Sequence, residues 1–128
     1  MYSPYHLGIF EGVHISREYE PQMTRIFGWL SEQASQGNVK AMTNLGVMHA
    51  IGFGTPFDTS QSFYWFQQAS SQEDPAGIFN TGVAYERAEG VLYDPDVARI
   101  HYEQSARLGF IPAMLALAAW HGDQTLQP

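Results

Sequence analysis

Two helical patterns joined by a glycine-rich turn make up Ala41–Ala69, AMTNLGVMHAIGFGTPFDTSQSFYWFQQA, with the turn marked by Gly52, Gly54, Pro56 and Asp58. Moving forward 36 residues gives the same layout in Gly77–Ser105, GIFNTGVAYERAEGVLYDPDVARIHYEQS. Asn44/Asn80, Gly46/Gly82, Val47/Val83, Gly54/Gly90, Asp58/Asp94 and Gln68/Gln104 are identical at this shift. A fixed period of this size is the signature of a stacked repeat, in which each unit buries its apolar face only against its neighbours.

Working outward, the same layout extends in both directions. Met23, Ile26, Phe27, Leu30 and Ala34 fall on one helical face behind Pro21, and Gly37 stops that helix. Asn38 is placed to cap the next one. Asp58 or Thr59 and then Asp94, ahead of Pro95, cap the later helices, and Pro75 opens the one between. Gly46 and Gly82 stand mid-helix, where glycine costs about 1 kcal/mol against alanine; a neighbouring helix is expected close by. The last helix, Ile111 to His121, matches the Ala41 helix at a shift of 72, with Ala41/Ala113, Met42/Met114, Leu45/Leu117 and His49/His121 identical. Before residue 20 the pattern fades. Tyr5–Gly12 echoes the Leu45-Gly46 helix and reads as a worn first-repeat helix. Trp29 and Trp65 sit at equivalent places in second helices and read as core.

Composition limits function. Apolar residues at 45% and aromatics at 14% fit a folded chain long enough for a real core. Six basic and thirteen acidic residues give a net charge of −7, with Lys40 the one lysine. That balance argues against nucleic acid, whose phosphates need basic surface, and against an anionic membrane. It suits a basic protein partner or simple solubility. Without cysteine there is no disulfide, thiol nucleophile or cysteine metal site. No signal peptide is visible at the N-terminus, and Ile111–Trp120 is far too short to span a bilayer. A cytoplasmic protein is the expectation.

The pattern Ala41, Leu45, Gly46, His49, Gly52, Gly54, Asp58, then Tyr64-Trp65-Phe66 and Ala69, resembles the Sel1-like repeat (SLR) family, relatives of the tetratricopeptide repeat. The second copy reads Asn80, Gly82, Tyr85, Gly90, Asp94, Ala98, Tyr102, Ala106, Gly109, and departs at Gly77, Thr81 and Ala88. The resemblance implies an all-α fold: a right-handed α-solenoid of stacked antiparallel helix pairs, with the first helix of each pair lining a concave face. One domain over 1–128 is expected, with a degenerate first repeat at 1–37, repeats at 38–73 and 74–109, and a terminal capping helix and tail at 110–128. The resemblance also implies adaptors and scaffolds that bind proteins, including bacterial examples that look like immunity partners. It carries no catalytic residues.

On that fold, Lys40, Thr43, Val47, Ala50 and Ile51 in one repeat, and Phe79, Val83, Glu86 and Arg87 in the next, are expected to face the groove. Leu115, Ala119 and Trp120 join them from the last helix. Such an apolar groove with a few charges suits an amphipathic helix or an extended peptide. Packing between helix pairs is the competing explanation for the valines. Phe79 stands out because its repeat equivalent is Thr43, and Arg87 and Trp120 are of hot-spot types. His49 occupies the family's tyrosine position, so a packed ring with a hydrogen-bonded edge is expected rather than a ligand. No HExxH pair, zinc spacing or GxSxG elbow is present. The carboxylates from Glu86 to Asp96 read as a solvated face. The expectation is therefore a non-enzymatic adaptor or inhibitor without metal or cofactor, with an immunity-type protein as its specific form. The alternatives are self-assembly through the terminal helix, giving a homodimer, or a small hydrolase or metal-dependent enzyme built on the histidines and the Glu86–Asp96 carboxylates.

Overall fold

The computed structural model describes residues 3–125, with side chains for residues 3–120. Helix starts are set by short polar side chains. Asn38, Asp58, Asp74 and Asp94 each accept a hydrogen bond from the N–H three residues on, at Ala41 (3.0 Å), Gln61 (3.1 Å), Gly77 (3.0 Å) and Val97 (3.1 Å). Such caps satisfy a donor that the helix itself leaves unpaired. The helices that follow are α1 Glu20–Ser35, α2 Val39–Ile51, α3 Thr59–Ser71, α4 Pro75–Arg87, α5 Pro95–Arg107 and α6 Ile111–Thr125. The described residues contain helices and turns and no strand.

Each helix packs chiefly on its sequence neighbours, from α1 on α2 through α5 on α6. This is the architecture of a solenoid of helix pairs. The internal symmetry explains the mid-helix glycines. Phe66 of α3 lies across Gly46 of α2, and 36 residues on Tyr102 of α5 lies across Gly82 of α4. A Cβ at Gly82 would stand 2.9 Å from the Tyr102 ring, and one at Gly46 would overlap Phe66. Glycine thus lets each aromatic of a second helix settle on the backbone of the first. Leu45, Met48, Phe66 and Ile78 are buried at the centre. Helix α2 ends on left-handed Gly52, whereas α4 ends on Ala88 in the same conformation, φ 55°. An L-residue there carries local strain.

Three expectations are corrected. Tyr5–Gly12 is not a helix. Gly8 and Gly12 take left-handed angles of 58° and 76°, and only a 3-10 turn forms at Gly8–Phe10, followed by another at Arg17–Tyr19. Trp29 is not core; it is 59% exposed, because no helix among the described residues precedes α1 to cover its outer face. The last helix runs to Thr125 rather than stopping at His121. The His121 side chain and the end of the polar tail lie outside the described residues.

Candidate functional site

The first helices of the repeats, α2 and α4, present Asn44 and Asn80 at equivalent positions. Both side chains are buried, yet neither bonds within its own repeat. Asn80 accepts from the His6 N–H at 2.8 Å and donates to the His6 carbonyl at 2.9 Å. Asn44 accepts from the Ile9 N–H at 3.0 Å. The chain's own N-terminal segment therefore lies across α2 and α4. Tyr5 anchors it, with its ring 5.3 Å from that of Phe66 and its hydroxyl donating to Glu89 at 2.9 Å. Burial first, and the bond to a carboxylate second, push the Tyr5 phenol well above its usual pKa. Phe10 completes the seating as a buried member of the same apolar core as Leu45, Val47 and Phe66.

This segment changes the status of several expected groove residues. Thr43 and Val47 are not open. Val47 is 0% exposed within the core shared with Tyr5 and Phe10, and the Thr43 hydroxyl donates to Asp74 at 2.6 Å. Lys40 is exposed, but its ammonium pairs with the buried Asp74 carboxylate. Ala50 and Ile51 border a small recess of about 210 Å³ beside Ser3, Tyr5 and Phe57.

Further along, Phe79, Val83, Glu86 and Arg87 of α4 meet Ala119 and Trp120 of α6 around an open cavity of about 290 Å³. Pro4 of the N-terminal segment closes one side. Phe79 and Val83 form its floor; the Phe79 ring packs 5.4 Å from Tyr102 and 5.7 Å from Phe110. Tyr102 donates to Glu86 at 2.8 Å, and burial followed by that bond raises its pKa as at Tyr5. Arg87 donates to Glu89 at 3.0 Å, so Glu89 serves both Arg87 and Tyr5. Leu115, 65% exposed, lies outside this cavity.

Among the described residues the histidines do not converge. His49 is buried in α2, edge-on to Phe27 at 5.4 Å. Its Nδ1 has no hydrogen-bond partner. Burial lowers its pKa, opposed by the Asp58 charge and the Pro56 carbonyl. His101 is held by the Val97 carbonyl at 2.9 Å against Tyr85, and His6 packs edge-on to Phe110 at 5.1 Å. Among the described residues, no group of three or more His, Asp or Glu could hold a metal ion, and no helix is long and apolar enough to cross a membrane. Asn44 and Asn80 were missed as site residues. Their signal was present, because a polar residue repeated at one core-facing position asks for a partner from elsewhere.

A family model described as Sel1 repeat matches residues 39–74 and 75–110. The chain is similar to a Sel1 repeat protein from Oxalobacter formigenes, with 34% identity and a TM-score of 0.69, over 72% of this chain and 69% of that one. It is also similar to a protective antigen of uropathogenic Escherichia coli displaying an SLR fold: 28% identity, TM-score 0.76, over 94% of this chain and 26% of that one. In Arabidopsis thaliana it resembles the ERAD-associated E3 ubiquitin-protein ligase component HRD3B, 30% identical over 89 residues, which is 67% of this chain. The chain spans about 15% of the length of that relative.

Proposed function

Since the chain belongs to the Sel1 repeat family, whose members generally mediate protein–protein interaction, we propose that it is a non-enzymatic module that holds one protein partner along the concave side of its repeats. The observation that carries this reading is the open cavity between α4 and α6, where Phe79, Val83, Glu86, Arg87 and Trp120 come together. Its floor is aromatic and aliphatic and its rim carries charge, the arrangement that favours a buried anchor within a polar border. The groove beside it already accommodates an irregular segment with one 3-10 turn through Asn44 and Asn80, which favours a short irregular peptide over an α-helix. Net charge of −7 and the carboxylates of Glu86 and Glu89 favour a basic partner. An adaptor or inhibitor fits these features, and an immunity-type protein that neutralises an effector is the specific form.

Affinity capture tests the reading. Ala119→Arg fills the cavity and adds positive charge to its acidic rim, and the residue is exposed, so folding is expected to survive. One stoichiometric basic protein retained by the wild type and lost by the variant supports the proposal. Equal retention sinks the cavity assignment. A second reading rests on Ile111, Met114 and Leu115, which leave a run of apolar surface open on α6. That face suits a homodimer formed across a two-fold axis.

A further inference from the structure

The face of α2 and α4 already has an occupant, Ser3–Phe10 of the same chain, and the way it is seated describes what this groove accepts. Recognition runs mainly through backbone. The Asn80 amide, with its residue 0% exposed, bonds both the N–H and the carbonyl of His6, and Asn44 takes the N–H of Ile9. Such bonds are blind to side-chain identity. Two positions are not. Tyr5 stacks on Phe66 and donates to Glu89. Gly8 is left-handed, and a Cβ there would overlap the Asn44 side-chain oxygen. The segment contains no Asp, Glu, Lys or Arg, and residues 11–14, which tie it to the rest of the chain, are all exposed.

We propose that Ser3–Phe10 is a tethered copy of the groove's ligand, and that a partner enters as an irregular, turn-forming Tyr-x-x-Gly segment that displaces it. The proposal rests on the groove reading above and adds a ligand chemistry and a built-in competitor. An incoming chain must supply a backbone N–H and carbonyl at Asn80, because a buried amide left without partners is penalised. It must lack a Cβ opposite Asn44 and accept a left-handed angle there, which glycine does freely. A phenol at the first position satisfies both the Phe66 shelf and the Glu89 acceptor. Because the occupant is tethered by a short linker, its effective concentration is high and free ligand binds the intact chain weakly.

The test uses the full chain and a fluorescein-labelled synthetic octapeptide of residues 3–10, read by fluorescence anisotropy. Gly8→Ala drives the tether off Asn44 and leaves the groove unchanged. The variant is expected to bind the octapeptide at least about tenfold more tightly than the wild type, the factor by which a competent open state becomes populated. Adding Asn80→Ala removes the gain, and an octapeptide with Ala at its glycine fails to compete. A Gly8→Ala chain that melts cooperatively yet binds no tighter overturns the proposal. Amide hydrogen exchange on the unaltered chain is an independent check. Saturating octapeptide is expected to expose residues 3–10 while α2 to α4 stay protected, and unchanged protection of 3–10 with peptide bound overturns it. If the partner captured through the cavity binds wild type and Gly8→Ala equally, displacement fails and the interaction module stands. If no partner and no peptide binds either chain, both readings fall. A concentration-dependent dimer in which the segment seats in a second copy overturns the tether in favour of exchange.

Discussion

Replacing Asp74 with alanine is expected to destabilise the fold by about 2–4 kcal/mol, and the figure follows from what its carboxylate does. Asp74 caps α4 through the Gly77 N–H at 3.0 Å, and losing such a cap costs about 0.5–2 kcal/mol. It is also the acceptor for the buried Thr43 hydroxyl at 2.6 Å, and a buried donor without an acceptor costs about 1–3 kcal/mol. The Lys40 pair adds little, since the Lys40 side chain is 74% exposed and solvent-screened pairs contribute about 0–1 kcal/mol. Chemical denaturation followed by circular dichroism measures the loss. In a chain of this size it corresponds to a drop in melting temperature of about 10 °C. Thr43→Val supplies the internal control. In the Asp74→Ala background it removes the orphaned hydroxyl, so the double variant is expected to lose less than the two single losses together, with a coupling of about 1 kcal/mol. Asp74→Ala within about 0.5 kcal/mol of wild type, the range of an ordinary surface change, would refute the reasoning. Strict additivity in the double variant would show that the Thr43 hydroxyl is satisfied elsewhere. The same series places Thr43 in the frame rather than at the interface, so Thr43→Val is expected to alter stability and leave partner capture intact.

Gly46→Ala gains about 1 kcal/mol of helix propensity but drives a Cβ into Phe66, and overpacking of about 1–3 kcal/mol is expected to make it net destabilising; a more stable variant in urea would mean that the ring moves aside freely. His49 has a pKa lowered by burial, so the unfolded chain binds its proton more readily than the folded one. Its contribution is therefore present above the ordinary histidine pKa of about 6.5 and is lost as pH falls below it. His49→Tyr, which matches the residue type of Tyr85, is expected to flatten the stability-versus-pH slope below about pH 6.5; an unchanged slope would assign it to other groups. For α6, light scattering decides: if the chain is a dimer, Leu115→Glu is expected to give a monomer, and a dimer that survives excludes this face as the interface.

Much of the frame was legible because it is local. The caps Asn38, Asp58 and Asp94 depend on residues within one helical turn, and the period of 36 follows from identities that need no partner to be seen. Gly46 and Gly82 announced a close approach, and the approaching group turned out to be an aromatic 20 residues downstream in each repeat. The candidate site was only partly legible. Phe79, Val83, Glu86 and Arg87 were picked by their helical phase and Trp120 as a hot-spot residue type, and all five line one cavity. Thr43 and Val47 were picked by the same rule and are buried. The phase states which side a residue faces, not what covers that side.

The sequence by itself determined that this chain stacks helix pairs, where the helices begin, and that it belongs with the Sel1 repeats, since each follows from contacts within a repeat or between adjacent ones. Only the tertiary structure decided that Ser3–Phe10 forms no α-helix but lies across the groove on Asn44 and Asn80. Tyr5 meets Glu89 across 84 residues of chain, and His6 meets Asn80 across 74. No periodicity encodes such a meeting. It depends on the path of the whole stack, which brings two buried amides into line where a stretch of unpaired backbone can satisfy them.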